Sequence, residues 1–517
     1  CRKIRGKMLM ETLVLWEVSR KQDYIFRSNK LKENKGASNI IEKVIEELPT
    51  TINLNYEKNL VYNGGGNSLY KFNDKDEAKD FIKKVSEKIL REFPGLEVFM
   101  VLEEYAPGKI TLAVDKLYEK LAMKKNERRH SGVQMSFGIE RRCQSTKLPA
   151  CDDKDKYGEQ RYISNEILRK IDYSDKSSPK FNRLLPVEEG IKEVLDLVEG
   201  EKSYIAIVHI DGNKMGKRFA EIKKYFESLE NKDSDKDNEY LDALREFSKG
   251  VKEAYEDAFR YMCKVVLDNS EKLKDDTKIK EGKFPIIPII IAGDDVTFIT
   301  NGKIALECAR VFLEYLSKKE INIYKDKKVK LNACAGIAIV KKTYPFFRAY
   351  RLAEELCNNA KKQILKDYPS GKEDFSLIDW HIEQQEIIGN IEEIREKLYM
   401  SNDGKELYMR PLYVNNNSQW NNYKNFKEAL FNITKRKASD GGASPKPLAR
   451  SKLKKLMKIL KEGEKETEIY IESNKLSGYF SRLEGTNTGD YCFCNNKCMY
   501  YDAIEFVDMF IELDEGR

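Results

Sequence analysis

Residues 284–300, FPIIPIIIAGDDVTFIT, decide how the chain is read. Two apolar, β-rich runs flank Ala292-Gly293-Asp294-Asp295. The first holds five isoleucines, and the second alternates through Val296, Phe298 and Thr300. The pattern predicts two strands joined by a tight turn at the Gly-Asp step, because Gly and Asp tolerate unusual backbone angles. A plain hairpin needs only one acid there. Two adjacent carboxylates at so apolar a tip are costly unless a cation sits on them, so Asp294 and Asp295 are candidate metal ligands.

Upstream, Tyr204-Ile205-Ala206-Ile207-Val208-His209-Ile210 is a continuous apolar run of the central-strand type. It ends at Asp211-Gly212-Asn213-Lys214-Met215-Gly216. An acid at the exit of a buried strand, then Gly-rich backbone opening a helix, suits a phosphate and metal cradle. Gly212, Asn213, Gly216 and Gly293 are its candidate nucleotide-binding residues. If this strand lies beside the hairpin, Asp211 and Asp294 meet at one edge of the sheet. Hard oxygen ligands so placed suit Mg²⁺ or Mn²⁺ holding nucleotide phosphates.

Strand-Asp211, a helix and the AGDD hairpin together resemble the catalytic palm of polymerases and GGDEF-type nucleotide cyclases. The wording HIDGNKMGK (209–217), with AGDD and AGIAIV (335–340) downstream, resembles one branch. That branch is the large polymerase-cyclase subunit of type III CRISPR effectors, which makes cyclic oligoadenylates from ATP. The likeness covers most of residues 10–385. The family's usual GGDD reads AGDD here, and Asn213 stands where a second acid is often found.

The resemblance implies two-metal phosphoryl transfer on ATP, with Asp211, Asp294 and Asp295 as catalytic residues and ligands of two Mg²⁺ or Mn²⁺ ions. It places Lys361 at a nucleotide triphosphate; the residues alone read it equally well as a solvated helix-end lysine. It also implies cytoplasmic antiviral defence, with guide-RNA effector subunits or target RNA as partners. The family often carries an N-terminal HD nuclease domain. Three histidines cannot supply its paired His-Asp site, so DNase activity is not expected.

The fold expected is α+β: two tandem ferredoxin-like βαββαβ palms, a helical connector and a mainly helical C-terminal domain. The boundaries expected are 9–142, 143–200, 201–385 and 386–517. The first palm runs strand 12–18, a helix to about Leu48, a hairpin over 59–70, helix 76–92, strand 97–102, helix 110–126 and strand 134–140. The second repeats this order, with residues 220–245 read as a charged surface loop. Aligning the hairpin tips sets Gly64-Gly65-Gly66-Asn67 against Ala292-Gly293-Asp294-Asp295, so the first tip has no carboxylate where the second has two.

Paired palms of this kind trap nucleotides between them, so the active site is expected between the two palms of one chain. Gly64, Gly65 and Gly66 allow close approach of backbone to a ligand, and Asn67 offers both a donor and an acceptor. Gly36-Ala37-Ser38 is read as preceding a helix that Ser38 caps, and the resemblance places Ser38 at the nucleotide site. A simple flexible turn remains the other reading of the GGGN stretch.

The chain has 517 residues, 35% of them charged, with a net charge of +7. Interspersed charges permit nucleic-acid contact without demanding it. No run is long and apolar enough to span a membrane. Ten cysteines suggest no secreted disulfide framework. Cys492, Cys494 and Cys498 lie close enough in sequence to share a zinc ion; Cys143 and Cys151 read more simply as separate thiols. Helix 451–460 is basic and amphipathic, able to meet RNA phosphates or to be an ordinary solvated face.

Two other readings stay open. One is a non-catalytic palm scaffold that binds RNA or protein in an effector complex. The other is a diguanylate-cyclase-like enzyme, disfavoured because Gly-Asp-Asp-Val lacks the Glu-Phe of GGDEF.

Overall fold

The apolar runs form strands where their alternation places them. The computed structural model describes residues 10–53, 56–64, 66–127, 138–155, 158–174, 179–186, 197, 203–229, 234–277, 283–383, 389–434, 447–486 and 492–515. The first palm is built from β1 (Glu11–Ser19), α1 (Lys21–Phe26), α2 (Leu31–Glu42), β2 (Leu60–Gly64), β3 (Asn67–Phe72), α3 (Lys75–Glu92), β4 (Glu97–Tyr105) and α4 (Ile110–Glu127). Its sheet has the order β2-β3-β1-β4, antiparallel throughout. Asp74 caps α3 by accepting from the backbone N–H groups of Asp76 and Glu77. The strand expected at 134–140 falls mostly outside the described residues.

Between the palms, the expected helical connector holds α5 (Asn165–Ser174), preceded by a hairpin, β5 (Asp152–Lys154) and β6 (Gln160–Ile163), that the sequence did not suggest. The end of the connector, 187–200, lies almost wholly outside the described residues. The second palm comprises β7 (Tyr204–Gly212), α6 (Met215–Glu227), α7 (Ser234–Asp268), β8 (Ile286–Ala292), β9 (Asp295–Asn301), α8 (Ala305–Ser317), the hairpin β10 (Glu320–Tyr324) and β11 (Lys327–Lys330), β12 (Ala333–Lys341), α9 (Phe346–Asp367) and β13 (Leu377–Ile382). Its sheet order is β14-β13-β12-β7-β9-β8. The stretch β8-β9-β7-β12 repeats the order of the first sheet. β14 (Leu412–Tyr413) is lent by the otherwise mainly helical C-terminal region. α9 seats on β12 where Gly336 leaves no side chain: a Cβ there would stand 1.9 Å from the Ala353 carbonyl oxygen.

The isoleucines of β8 explain how the palms join. Ile287, Ile289 and Ile290 are buried in one cluster with Trp16, Tyr24, Ile25, Ile40 and Ile41 of the first palm. β8 is an edge strand, tolerant of Pro288, and α2 lies against it, with the Ser38 hydroxyl donating to the Ile289 carbonyl.

α7 forms a second tie. It is not the surface loop expected over 220–245. It is a helix of 35 residues that buries Tyr240, Leu241, Leu244, Phe247 and Val251. Asp237 near its start accepts from Gly108 N at 2.6 Å, and Lys252 pairs with Glu46 at 2.7 Å.

Candidate active site between two palms

The strand registers place the acids. Asp211, at the end of β7, is paired with Asp295 across β7 and β9, and Ala292 is paired with Asp295 across the hairpin. Gly293 (φ 64°) makes the turn. Three carboxylates therefore gather at one end of the sheet, as expected. Gly212 must lack a side chain to let them: a Cβ there would lie 2.7 Å from the Tyr255 hydroxyl and 2.8 Å from Asp294 Cβ.

Two ammonium groups hold two of the acids. Lys361 of α9 donates to Asp211 Oδ2 at 2.5 Å and to the Gly212 carbonyl at 2.9 Å. Lys21 crosses from the first palm to Asp295 Oδ2 at 2.9 Å. Burial disfavours the charge on both lysines, but their carboxylate partners outweigh it and raise both pKa values. Burial would likewise raise Asp295, yet Lys21, with His209 and Lys361, keeps it below the ordinary carboxylate range. His209 is a packed, buried residue; its Nδ1 lies 3.1 Å from Thr297 Oγ1.

No ammonium pairs with Asp294 among the described residues, and Lys21 offsets its neighbours only in part. Burial first, then Asp211 and Asp295, push it up to about 6. Glu354 of α9 is raised as well, by burial first, with Asp295 and Asp211 adding to the effect and His209 and Arg351 opposing it. The Tyr255 hydroxyl, buried beside the acids, has no hydrogen-bond partner among the described residues.

The donor set fits a hard divalent cation. Asp295 Oδ1 is buried without a hydrogen-bond partner among the described residues, and Asp294 bears the cost of like charges that a cation relieves. With Asp211 and Asp295 turned toward lysines, no group of three or more His, Cys, Asp or Glu side chains closes on one point among the described residues. The same holds for the cysteines proposed for zinc. Pairing of Cys494 with Lys497 and of Cys498 with Phe493 sets Cys494 and Cys498 on opposite faces of their hairpin, and all three thiols, including Cys492, are buried.

The cleft between the palms measures about 600 Å³, counting space open to solvent, and Ser38, Gly64, Gly66, Gly293 and Lys21 line it. Ser38 reaches it from the middle of α2, so it is not the helix cap expected. Gly65 lies outside the described residues. Asn67 opens β3, paired with Glu17. Asn213 is turned away from the acids: its amide donates to Asp374 Oδ1 at 3.0 Å and to the Phe375 carbonyl at 2.9 Å. Gly216 is exposed on the first turn of α6.

Superposing the registers reveals a residue that sequence reasoning missed. Glu17 opposes Asn67 in the first palm as Asp211 opposes Asp295 in the second. Glu17 pairs with Lys125 at 2.6 Å, and Lys125 holds the place in α4 that Lys361 holds in α9, counted from Ile110 and Phe346. Three residues beyond each acid, Arg20 (φ 50°) and Lys214 (φ 59°) take the left-handed conformation that opens the next helix. The shared spacing of acid, two residues and a basic residue was the available signal.

An acidic hairpin and a carboxylate-free one, lining one cleft, define a tandem-palm protein. Residues 204–368 match the family described as Cas10/Cmr2, second palm domain. The fold matches the crystal structure of the Csm1-Csm4 cassette in complex with cA4 at 16% identity and TM-score 0.54, over 97% of this chain and 70% of that chain. The corresponding figures for the cassette in complex with AMPPNP are 17%, 0.52, 97% and 70%. For Csm1 in T.onnurineus they are 15%, 0.51, 97% and 69%. No curated protein matches the sequence. The chain is Cas10-like, and the resemblance drawn from HIDGNKMGK and AGDD is borne out. Among the described residues, no helix is long and apolar enough to cross a membrane.

Proposed function

We propose that the chain is a nucleotidyltransferase that joins ATP 3′–5′ and closes the product into a cyclic oligonucleotide messenger within a type III CRISPR effector. The observation that carries this reading is the shared cleft. The Gly293 turn, with Asp294 and Asp295 beside it, faces Gly64 and Gly66 across it. Asp211, Asp294 and Asp295 would hold two Mg²⁺ or Mn²⁺ ions, which when bound supply Lewis acidity at the attacking 3′-hydroxyl and the departing pyrophosphate.

The chain's own residues do the rest. Lys361 stands beside Asp211, where it can meet a triphosphate once a cation replaces it on the carboxylate. Gly64 and Gly66 let the acceptor nucleotide approach the first palm's backbone. Ile290, Ile291, Ile25, Ile41 and Ile45 give the cleft apolar walls that exclude water from the reacting groups. By the same analogy, a partner subunit of the Csm4 kind would dock on the chain.

The test is incubation of the full chain with each radiolabelled nucleotide and Mn²⁺, followed by mass analysis of products. Cyclic adenylates that vanish in Asp294→Asn/Asp295→Asn support the reading. Absence of any product from all four nucleotides, with or without a guide-RNA complex, would favour a palm scaffold. The lysine partners of Asp211 and Asp295, which by themselves neutralise two of the acids, are the feature that such a scaffold would keep.

A further inference from the structure

The ion pair between Lys21 and Asp295 joins the two halves of the site. Lys21 belongs to the first palm, at the start of α1, yet its ammonium lies 2.9 Å from the second palm's Asp295, with the two side chains only 13% and 10% exposed. The same lysine lines the cleft. Its alkyl stem runs beneath the first palm's hairpin tip. A Cβ on Gly66 would stand 3.5 Å from Lys21 Cδ, and the tip is fixed to β1 by Val18 N donating to the Gly66 carbonyl at 3.0 Å. Lys21 and the neutral tip are thus one unit, aimed at the acidic tip.

A carboxylate oxygen cannot serve a divalent cation and keep an ammonium group at hydrogen-bond distance without strong repulsion between the two cations. Even a cation bound at Oδ1, which Lys21 leaves without a partner among the described residues, would share this carboxylate with the ammonium, and the repulsion between the two cations favours release of Lys21. Tethered in the cleft, the released ammonium has the phosphates of a bound nucleotide as its new anion.

We infer that Lys21 is a positioning residue: it stands in for the cation on Asp295 while the site is unloaded, and moves to nucleotide phosphate when the cation arrives. Metal loading in the second palm is thereby coupled to nucleotide capture by the first. This rests on the proposed nucleotidyltransferase reading. The predicted signature has opposite signs in two binding steps, which simple loss of structure does not produce.

The experiment uses the full chain without effector partners. Mn²⁺ is titrated calorimetrically into nucleotide-free wild type, Lys21→Met and Lys21→Arg. A non-hydrolysable ATP analogue is then titrated at saturating Mn²⁺. Lys21→Met should bind Mn²⁺ about threefold to tenfold more tightly, and the analogue about tenfold more weakly. Lys21→Arg should restore both values toward wild type, and thermal melts in EDTA check that each variant is folded. Unchanged or weaker Mn²⁺ binding in folded Lys21→Met, or unchanged analogue binding, overturns the inference while leaving the function standing. A wild type that binds no Mn²⁺ overturns both.

Discussion

The two palms share a plan and differ at two residues. Both run a central strand to an acid, Glu17 or Asp211, held by a lysine from the helix after the fourth strand of the palm motif. Both then turn through a basic residue in the left-handed region. At the hairpin tip, however, Gly66-Asn67 in the first palm occupies the positions of Asp294-Asp295 in the second. The acid-lysine pair is therefore compatible with either role, and the two tip residues distinguish them. The second palm carries an electrostatic cost at Asp294 that the first avoids, a cost that a metal cation relieves at neutral pH and a proton relieves in acid.

The largest expected effect comes from making the second tip neutral like the first. Asp294→Asn should lower product formation by at least about 10³-fold, measured as cyclic product by mass analysis, because it removes a charge from the cation cradle. Activity within tenfold of wild type would remove Asp294 from the catalytic set.

Next comes a steric test of the first tip. Gly66→Val puts a branched side chain at φ 92°, with Lys21 Cδ 3.5 Å from the new Cβ. Nucleotide joining should fail while Mn²⁺ binding to the second palm persists. Loss of Mn²⁺ binding as well would mean that the tips are not separable.

A third comparison splits the adjacent acids by stability. With Asp294 at about 6 against an ordinary 3.8, the unfolded chain loses this proton first. Between about pH 4 and pH 6 the folded state binds more protons, so the stability of metal-free protein falls as pH rises. Above pH 6 the full cost is present, on the order of 2–3 kcal/mol. Asp294→Asn should therefore stabilise the protein in EDTA at pH 7.5 and flatten this pH dependence. Asp295→Asn should destabilise it by on the order of 2–3 kcal/mol, because Lys21 is left buried without its carboxylate. Denaturant melts from pH 4 to 7.5 read both signs; equal shifts in the two variants would contradict the assignment.

Much of this site was legible in the chain. The apolar runs around Asp211 and Asp294-Asp295 fixed strands, register and tip, because alternation and turn chemistry are local. The charged segment ESLENKDSDKDNEYLD (227–242) hid the start of α7, since Asp235, Glu239 and Asp242 are exposed and the apolar buried stripe begins only at Tyr240. Ser38 read as a cap because Gly36 read as a break; in fact Gly36 lets α2 pack on α5, where a Cβ would stand 1.7 Å from the Lys170 carbonyl oxygen. Lys21 could not be read at all, because its partner lies in the other palm and depends on how the two dock.

The smallest expected effect tests the shared feature. Lys125→Met and Glu17→Gln break a pair in which Lys125 is 39% exposed, so each should cost less than about 1 kcal/mol in a denaturant melt. Neither should alter Mn²⁺ affinity. A large change in that affinity would give the first palm a metal role.

The account rests most on one asymmetric site with a nucleotide on each palm. Isothermal titration of the full chain with a non-hydrolysable ATP analogue tests it directly. Two binding events per chain are predicted with Mn²⁺ present, and one should remain in EDTA on the neutral first palm, about tenfold weaker because Lys21 then stays on Asp295. A single event in Mn²⁺, or loss of both in EDTA, would contradict it.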